Sequence, residues 1–237
     1  MNKTRKPNQM RSVKIEAYPT AAAGSVMIYQ GNTQVLCTAS IAADIPKWLS
    51  PRDGGPPTKG WVTAEYNMMP SSTLSRKKRG PDSRGTEIQR LIARVLRQAV
   101  DLEKMPGLSI TCDCDVVVAD GGTRTASITG AMVALAQCLQ AARENGQLNG
   151  NPLRTMVAAI SVGIVDGKPV LDLDYPLDVR AETDLNVAMD AKGRFVEIQG
   201  TAEREPFSRK EMDSMLDLAS KGIKQLIKTQ KATIAKL

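Results

Sequence analysis

The sequence predicts an α+β protein in which mixed sheets pack against helices, and three observations lead there. Three segments carry apolar residues at helical spacing, strand-like segments come in pairs across turn residues, and the order strands, helix, strand, helix, strands, helix is not a regular βαβ series. At 237 residues the chain is long enough to bury a substantial core without disulfides or metals, so one compact domain over 1–237 is expected.

Residues 1–12 are polar and predict an N-terminal segment that is frayed or held only by a partner. Ser25 to Tyr29 and Gln34 to Ile41 then read as a hairpin across Gly31-Asn32. The breakers between Pro46 and Lys59 mark a loop, and Trp61 to Asn67 follows as a short strand. Ser71 to Gly85 is too polar to pack. It carries Arg76, Lys77, Lys78, Arg79 and Arg84, which suit either a solvated loop or contact with phosphates.

Ile88, Leu91, Ile92, Val95, Leu96 and Ala99 share one face of a helix, with Thr86 to Gln89 matching a capping box and an end expected near Lys104, before Pro106. Arg90, Arg94 and Arg97 lie together on the opposite face, as solvated residues, an RNA path or a subunit contact. Leu108 to Ala119 reads as a strand whose valines predict burial on both faces. A second helix, with Ile128, Met132, Leu135 and Leu139 inward, should stop before Asn145, with Gly146 as its C-terminal signal.

In the second half, Met156 to Val165 and Lys168 to Asp174 pair across Asp166-Gly167, and Asp184 to Met189 and Arg194 to Gln199 across residues 191–193. Ser208 and Glu211 form a capping box for a last helix with Met212, Met215, Leu216, Ala219, Ile223 and Leu226 as its core stripe.

Composition restricts the chemistry. There is no histidine, which excludes a histidine base, a histidine metal ligand and any Ser-His or Cys-His pair. Thirty-two basic against 25 acidic residues favour an anionic partner such as nucleic acid. With 2 Trp, 2 Phe and 4 Tyr, a nucleic-acid site would rest on charge and backbone contacts rather than on stacked aromatics. The four cysteines lack zinc-like spacing and read as buried apolar residues in a reducing cytoplasm. The first twenty residues have no apolar core of a targeting signal, and no run approaches about 18 apolar residues, so a protein without membrane association is expected.

Two constellations carry candidate chemistry. Gly121 to Thr125 breaks a strand and opens a helix, placing backbone N–H groups, two threonines and the planar fork of Arg124 where an anion could be held. Those residue types also make an ordinary turn and cap. The acidic passage with Asp172, Asp174, Asp178, Glu182 and Asp184 suits either a hydrated turn or Mg2+, which takes one or two carboxylates plus substrate phosphates. Carboxylates, an anion turn and a basic loop together are the parts of a phosphoryl-transfer site.

Residues 119–130, together with Gly60-Trp-Val-Thr-Ala-Glu-Tyr66, Glu87-Ile-Gln-Arg-Leu-Ile92, Ser161-Val-Gly-Ile-Val165, Leu171-Asp-Leu-Asp-Tyr175 and residues 196–203, resemble the ribonuclease PH family, in order from about Gln9 to Gln230. The resemblance implies a ribosomal protein S5 domain 2-like fold and a cytoplasmic homohexameric ring, a trimer of dimers. It implies a phosphorolytic 3′-to-5′ exoribonuclease that trims tRNA precursors and uses inorganic phosphate to release nucleoside diphosphates. It places phosphate binding on Arg84, Gly122, Thr123, Arg124 and Thr125, and catalysis on Arg124, Asp178 and Asp184. The two aspartates would also hold Mg2+. Arg76 and Arg79 resemble positions that meet RNA or a neighbouring subunit, and Arg90 and Arg97 join them as RNA-binding candidates. Leu177 and Arg180 flank Asp178 where the family more often has an acidic and a small residue. A cation beside the carboxylates would weaken Mg2+ binding or contact RNA instead, and with it comes the alternative of a catalytically silent RNA-binding ring subunit.

Overall fold

The structure, a computed structural model, describes residues 5–80 and 82–237. Five strands form the first sheet: β1 (Val13–Ala17), β2 (Gly24–Gln30), β3 (Thr33–Ala42), β4 (Trp61–Met68) and β5 (Ser109–Val118). Their order is β1-β2-β3-β5-β4, antiparallel except for β4 beside β5. That parallel pair requires a crossover, supplied by helix α1 (Ser83–Gln98). The second sheet has the order β7-β6-β8-β9, built from β6 (Val157–Val165), β7 (Lys168–Leu171), β8 (Thr183–Asp190) and β9 (Phe195–Ala202), all antiparallel.

Between the sheets runs α2 (Thr123–Glu144), packed on β2, β3 and β5 on one side and on β6 on the other. Enclosure on all sides explains its small-residue sequence. At Gly130 an added Cβ would lie 2.7 Å from Cys37 Sγ and 2.8 Å from Ile28 Cγ2. Helix α2 is long and apolar enough to cross a membrane, yet most of it is buried inside the protein, so its hydropathy reflects a core position. The last helix, α4 (Arg209–Ile234), covers β6, β7 and β1, and Gln230 fastens it by donating to Thr129 O and Val157 O, each at 2.9 Å.

Several expected elements stand as read: the Gly31-Asn32 hairpin, the glycine break before α2, the stop at Gly146, and the Ser208–Glu211 capping box. Others are corrected. Helix α1 begins four residues earlier than its Thr86–Gln89 box predicts, because Asp82 caps it by accepting from the Gly85 N–H, and it ends at Gln98. A separate 3-10 turn, Leu102–Lys104, follows. Strand β5 is not buried on both faces: Ile110, Cys112, Cys114 and Val116 point inward, while Thr111, Asp113 and Asp115 remain partly accessible. The passage from Asp174 is not simply the end of a strand but a capped short helix, α3 (Tyr175–Arg180).

The largest correction concerns the N-terminus. Residues 1–4 of the segment expected to fray lie outside the described residues, as does Pro81 of the basic loop. Residues 5–12 are held by the second half of the chain. Arg5 bonds Asp174 Oδ2 at 3.0 Å, the Leu171 N–H donates to Pro7 O at 2.7 Å, and Arg11 is buried.

Candidate phosphate and RNA site

The anion turn is built by backbone geometry. Gly121 and Gly122 both have positive φ, +74° and +67°, and Gly122 is the N-cap of α2. At Gly121 a Cβ would lie 2.6 Å from Asp174 C and Tyr175 N, so the absence of a side chain lets the turn press against the start of α3. Thr33 Oγ1 donates to Gly121 O at 2.7 Å and Arg11 Nη1 to Asp120 O at 2.6 Å, fixing the carbonyls backward. The N–H end of α2 therefore faces forward with the partial positive charge that favours an anion.

Thr123 and Thr125 have different duties. Thr123 Oγ1 shares a 2.9 Å hydrogen bond with the Tyr66 hydroxyl on β4, whereas Thr125 is fully buried and donates to Gly122 O at 3.0 Å. Thr125 therefore shapes the turn from behind. Arg124, partly accessible, donates to Gln199 Oε1 at 3.0 Å, and Gln199 donates to Glu87 Oε1 at 2.6 Å. This chain joins α2, β9 and α1. Arg84, in the first turn of α1 rather than before it, is exposed.

Electrostatics show which of these residues share a site. Burial pushes the Tyr66 phenol up, with Thr123 and the charges of Arg84 and Arg124 acting the other way. The Asp178 carboxyl lies on an accessible helix, but surrounding protein pushes it above the usual carboxylate range; Arg84 and Arg124 draw it down without cancelling this, and Glu203 opposes them. Burial also raises the Asp184 carboxyl, followed by repulsion from Asp178 and Glu203. The charges of Arg84 and Arg124 thus reach Asp178, and those of Asp178 and Arg124 reach Asp184, linking α1, α2, α3 and β8.

Two carboxylates raised chiefly by burial, with Asp178 and Glu203 repelling Asp184, suit a cation. Among the described residues no group of three Asp, Glu, Cys or His side chains forms a metal site. Two carboxylates with oxygens from a phosphate substrate nevertheless fit Mg2+, which seldom takes a full protein cage. Arg180 does not compete for these carboxylates as its position in sequence suggested. It pairs with Asp166, in the turn between β6 and β7.

The proposed RNA contacts divide. Lys77, Lys78, Arg79 and Arg84 border a groove of about 740 Å³ whose lining includes Glu65 and Asp115; Arg76 is exposed beside it. Arg90 lines a second groove, of about 700 Å³, between α1 and β4. Arg97 in that groove is committed to the fold: its guanidinium lies 4.3 Å over the Trp61 ring and donates to Val62 O at 2.9 Å. Arg94 is held by Glu197, at 2.8 Å.

The sequence reading did not assign Arg11. It donates to Asp172 through Nε at 3.0 Å and Nη2 at 2.7 Å, and both residues are buried. The available signal was a basic residue next to the first strand-like alternation, too common to single out.

A sequence model of the 3′ exoribonuclease family, domain 1, matches residues 9–139, and one of domain 2 of the same family matches residues 155–222. The chain belongs to the 3′ exoribonuclease family, the family of ribonuclease PH. Solved structures with the same architecture agree. A chain of the Archaeoglobus fulgidus exosome with RNA bound to the active site is similar at TM-score 0.80 and 23% identity, over 94% of this chain and 89% of that one. Rice (Oryza sativa) Rrp46 is similar at TM-score 0.77 and 19% identity over 98% of both chains. A chain of an archaeal exosome core reaches TM-score 0.77 and 23% identity, over 96% of this chain and 89% of that one. The fold of this 3′ exoribonuclease family member is thus the ribosomal protein S5 domain 2-like α+β architecture implied by its motifs.

Proposed function

We propose that the chain is a phosphate-dependent 3′-to-5′ exoribonuclease that trims tRNA precursors, releases nucleoside diphosphates, and works in the cytoplasm as a homohexameric ring. The observation that carries this reading is the glycine turn at the N-terminus of α2 pressed against the start of α3, which puts the helix N–H end and Arg124 beside the helix that carries Asp178. Inorganic phosphate is already an anion at neutral pH and needs no strong base, which suits a chain without histidine. The N–H groups after Gly122 and the fork of Arg124 would orient it. Arg84 would offset its repulsion from the terminal phosphodiester.

A phosphate oxygen forms a bond to the terminal phosphorus while the bond from that phosphorus to the 3′ oxygen of the penultimate nucleotide breaks. Asp178 and Asp184 would hold Mg2+, which when bound offsets charge on the departing oxygen. Exposed Phe195 and Ile198 on the edge strand β9 offer an apolar surface for ring contacts.

Incubating the protein with single-stranded RNA, with and without phosphate, tests the reading. Nucleoside diphosphates should accumulate only with phosphate, and their absence rejects the activity. A silent RNA-binding ring subunit is the second reading, favoured by Leu177 beside Asp178, where the family more often has an acidic residue. It predicts salt-sensitive RNA binding without turnover.

A further inference from the structure

We infer that the outer face of α4 is a second RNA surface, which holds the folded body of the substrate by its phosphates about one strand length away from the site where the 3′ end reacts. The inference rests on the RNA substrate class proposed above. Lys221, Lys224, Lys228 and Lys231 are all exposed. At 3.6 residues per turn they fall within about 80° of arc and span roughly 15 Å. Neighbours in this row stand about 5–6 Å apart, close enough for each to meet its own phosphate along a backbone.

The row is poorly explained by solvation alone. Asp217 precedes Lys221 by one turn, but no acid occupies the helical neighbour positions of Lys224, Lys228 or Lys231. Like charges at this spacing destabilise a helix. The helix dipole favours cations only in the last turn, which leaves Lys221, Lys224 and Lys228 unexplained, since α4 runs on to Ile234. Among the described residues, none of the ion pairs involves these four lysines.

Neighbouring elements add cations rather than remove them. The turn between β8 and β9 shares a small cleft with Lys224, and its acid, Asp190, is buried and already occupied by Arg194 Nε at 2.7 Å and by the N–H groups of Lys192 and Arg194, each at 2.9 Å. Lys192 and Arg194 are exposed beside it. On β1, Glu16 is paired with Lys14.

The occupant follows from chemistry. A membrane would need apolar side chains beside the lysines, but Met215, Ala219, Ile223, Leu226 and Ile227 are buried against the protein. The lysine row itself contains no aromatic residue, so it cannot stack unpaired bases. A straight row of point charges fits the phosphates of a helical RNA. The far turn of β8, at Asp190, is six residues from Asp184, roughly 20 Å along the strand. Body and reacting end would therefore be held at different places.

The test compares the wild-type full chain with K221Q/K224Q/K228Q/K231Q, without phosphate so that nothing is cleaved, using an RNA hairpin with a 3′ overhang and the overhang alone. Circular dichroism verifies that the variant folds. The variant should bind the hairpin at least about 10-fold more weakly near 0.1 M salt, with a salt slope smaller by roughly 3.6, as expected if each of the four lysines neutralises one duplex phosphate. Binding of the overhang alone should not change. Equal loss for both RNAs would place the row on the single-strand path and overturn the inference. No change for either would do the same, as would lysine-dependent binding of anionic vesicles with hairpin binding intact. Wild type that binds the hairpin through the row, yet releases no nucleoside diphosphate when phosphate is added, sustains this surface and rejects the activity.

Discussion

Arg11 grips both carboxylate oxygens of Asp172 and, through the same guanidinium, the carbonyls of Asp120 and Gly121. One buried side chain thereby ties the N-terminal segment, the anion turn and the stretch leading into α3. Gln30 Nε2 adds a 2.7 Å bond to Asp172 Oδ1. Removing one partner of a buried pair leaves the other charge uncompensated, at a cost of about 3–5 kcal/mol. Arg11→Met should lose stability of this order in urea denaturation, and Arg11→Met/Asp172→Asn should recover part of it. A single-variant loss below about 1 kcal/mol would contradict the structural role.

The pair also sets an acid limit. Burial pushes the Asp172 carboxyl up, but the hydrogen bonds and charge of Arg11, with the charge of Arg5, outweigh it and hold the group below its ordinary range. A lowered folded pKa gives stability that is complete above the unfolded value, about 3.9, and is lost as pH falls through the folded value. Thermal denaturation between pH 6 and 2 should show this loss in wild type. Asp172→Asn should be less stable at neutral pH but lack that component of the acid slope.

Asp184 has the opposite sign. Its carboxyl is raised by burial and by the neighbouring carboxylates, so ionisation costs the folded state stability as pH rises past the ordinary aspartate range. Asp184→Asn should therefore be as stable as wild type or slightly more stable at pH 7, bind RNA nearly unchanged, and lose turnover. Full activity in the variant, measured as phosphate-dependent nucleoside diphosphate release, would refute its catalytic assignment.

Gly121→Ala would combine positive φ with contacts of 2.6 Å to the α3 backbone, neither of which a rotamer change relieves. A cost of order 1–3 kcal/mol is expected. Because the turn would orient phosphate, KM for phosphate should rise by roughly 10-fold. Gly146→Ala serves as the control, with the same φ of +74° but open space around it. It should lower stability without changing that KM.

Arg90 and Arg97 share a groove but not a role. Arg97→Ala removes the stack on Trp61 and should lower the melting temperature and alter tryptophan fluorescence, a stability effect of about 1–2 kcal/mol. Arg90→Ala removes an exposed charge and should instead reduce the salt dependence of RNA binding. Equal effects of the two variants on the salt slope would contradict this division.

Local patterns carried most of the architecture because each needed only neighbouring residues. The hairpin at Gly31-Asn32, the break at Gly121-Gly122, and the box joining Ser208 to Glu211 are examples. Errors arose where two local signals competed or where partners were remote. Asp82 displaced the Thr86 box as the cap of α1, and a Pro-containing acidic run concealed the short helix α3, whose first turn depends on Asp174 accepting from the Leu177 N–H. Residues 5–12 looked unattached because the acceptors that tie Arg5 and Arg11 to the rest of the protein lie more than 100 residues away.

By itself the sequence determined the α+β class, the exclusion of histidine chemistry, the glycine break before α2 and the family motifs, since composition, periodicity and glycine placement are local properties. Only the tertiary structure decided that the charge of Arg84 reaches Asp178, that Thr125 is buried behind the turn, that Arg180 is drawn to Asp166, and that Arg11 holds the turn to the stretch before α3. Charge interactions and burial depend on distance in space, and the packing of both sheets on α2 sets those distances.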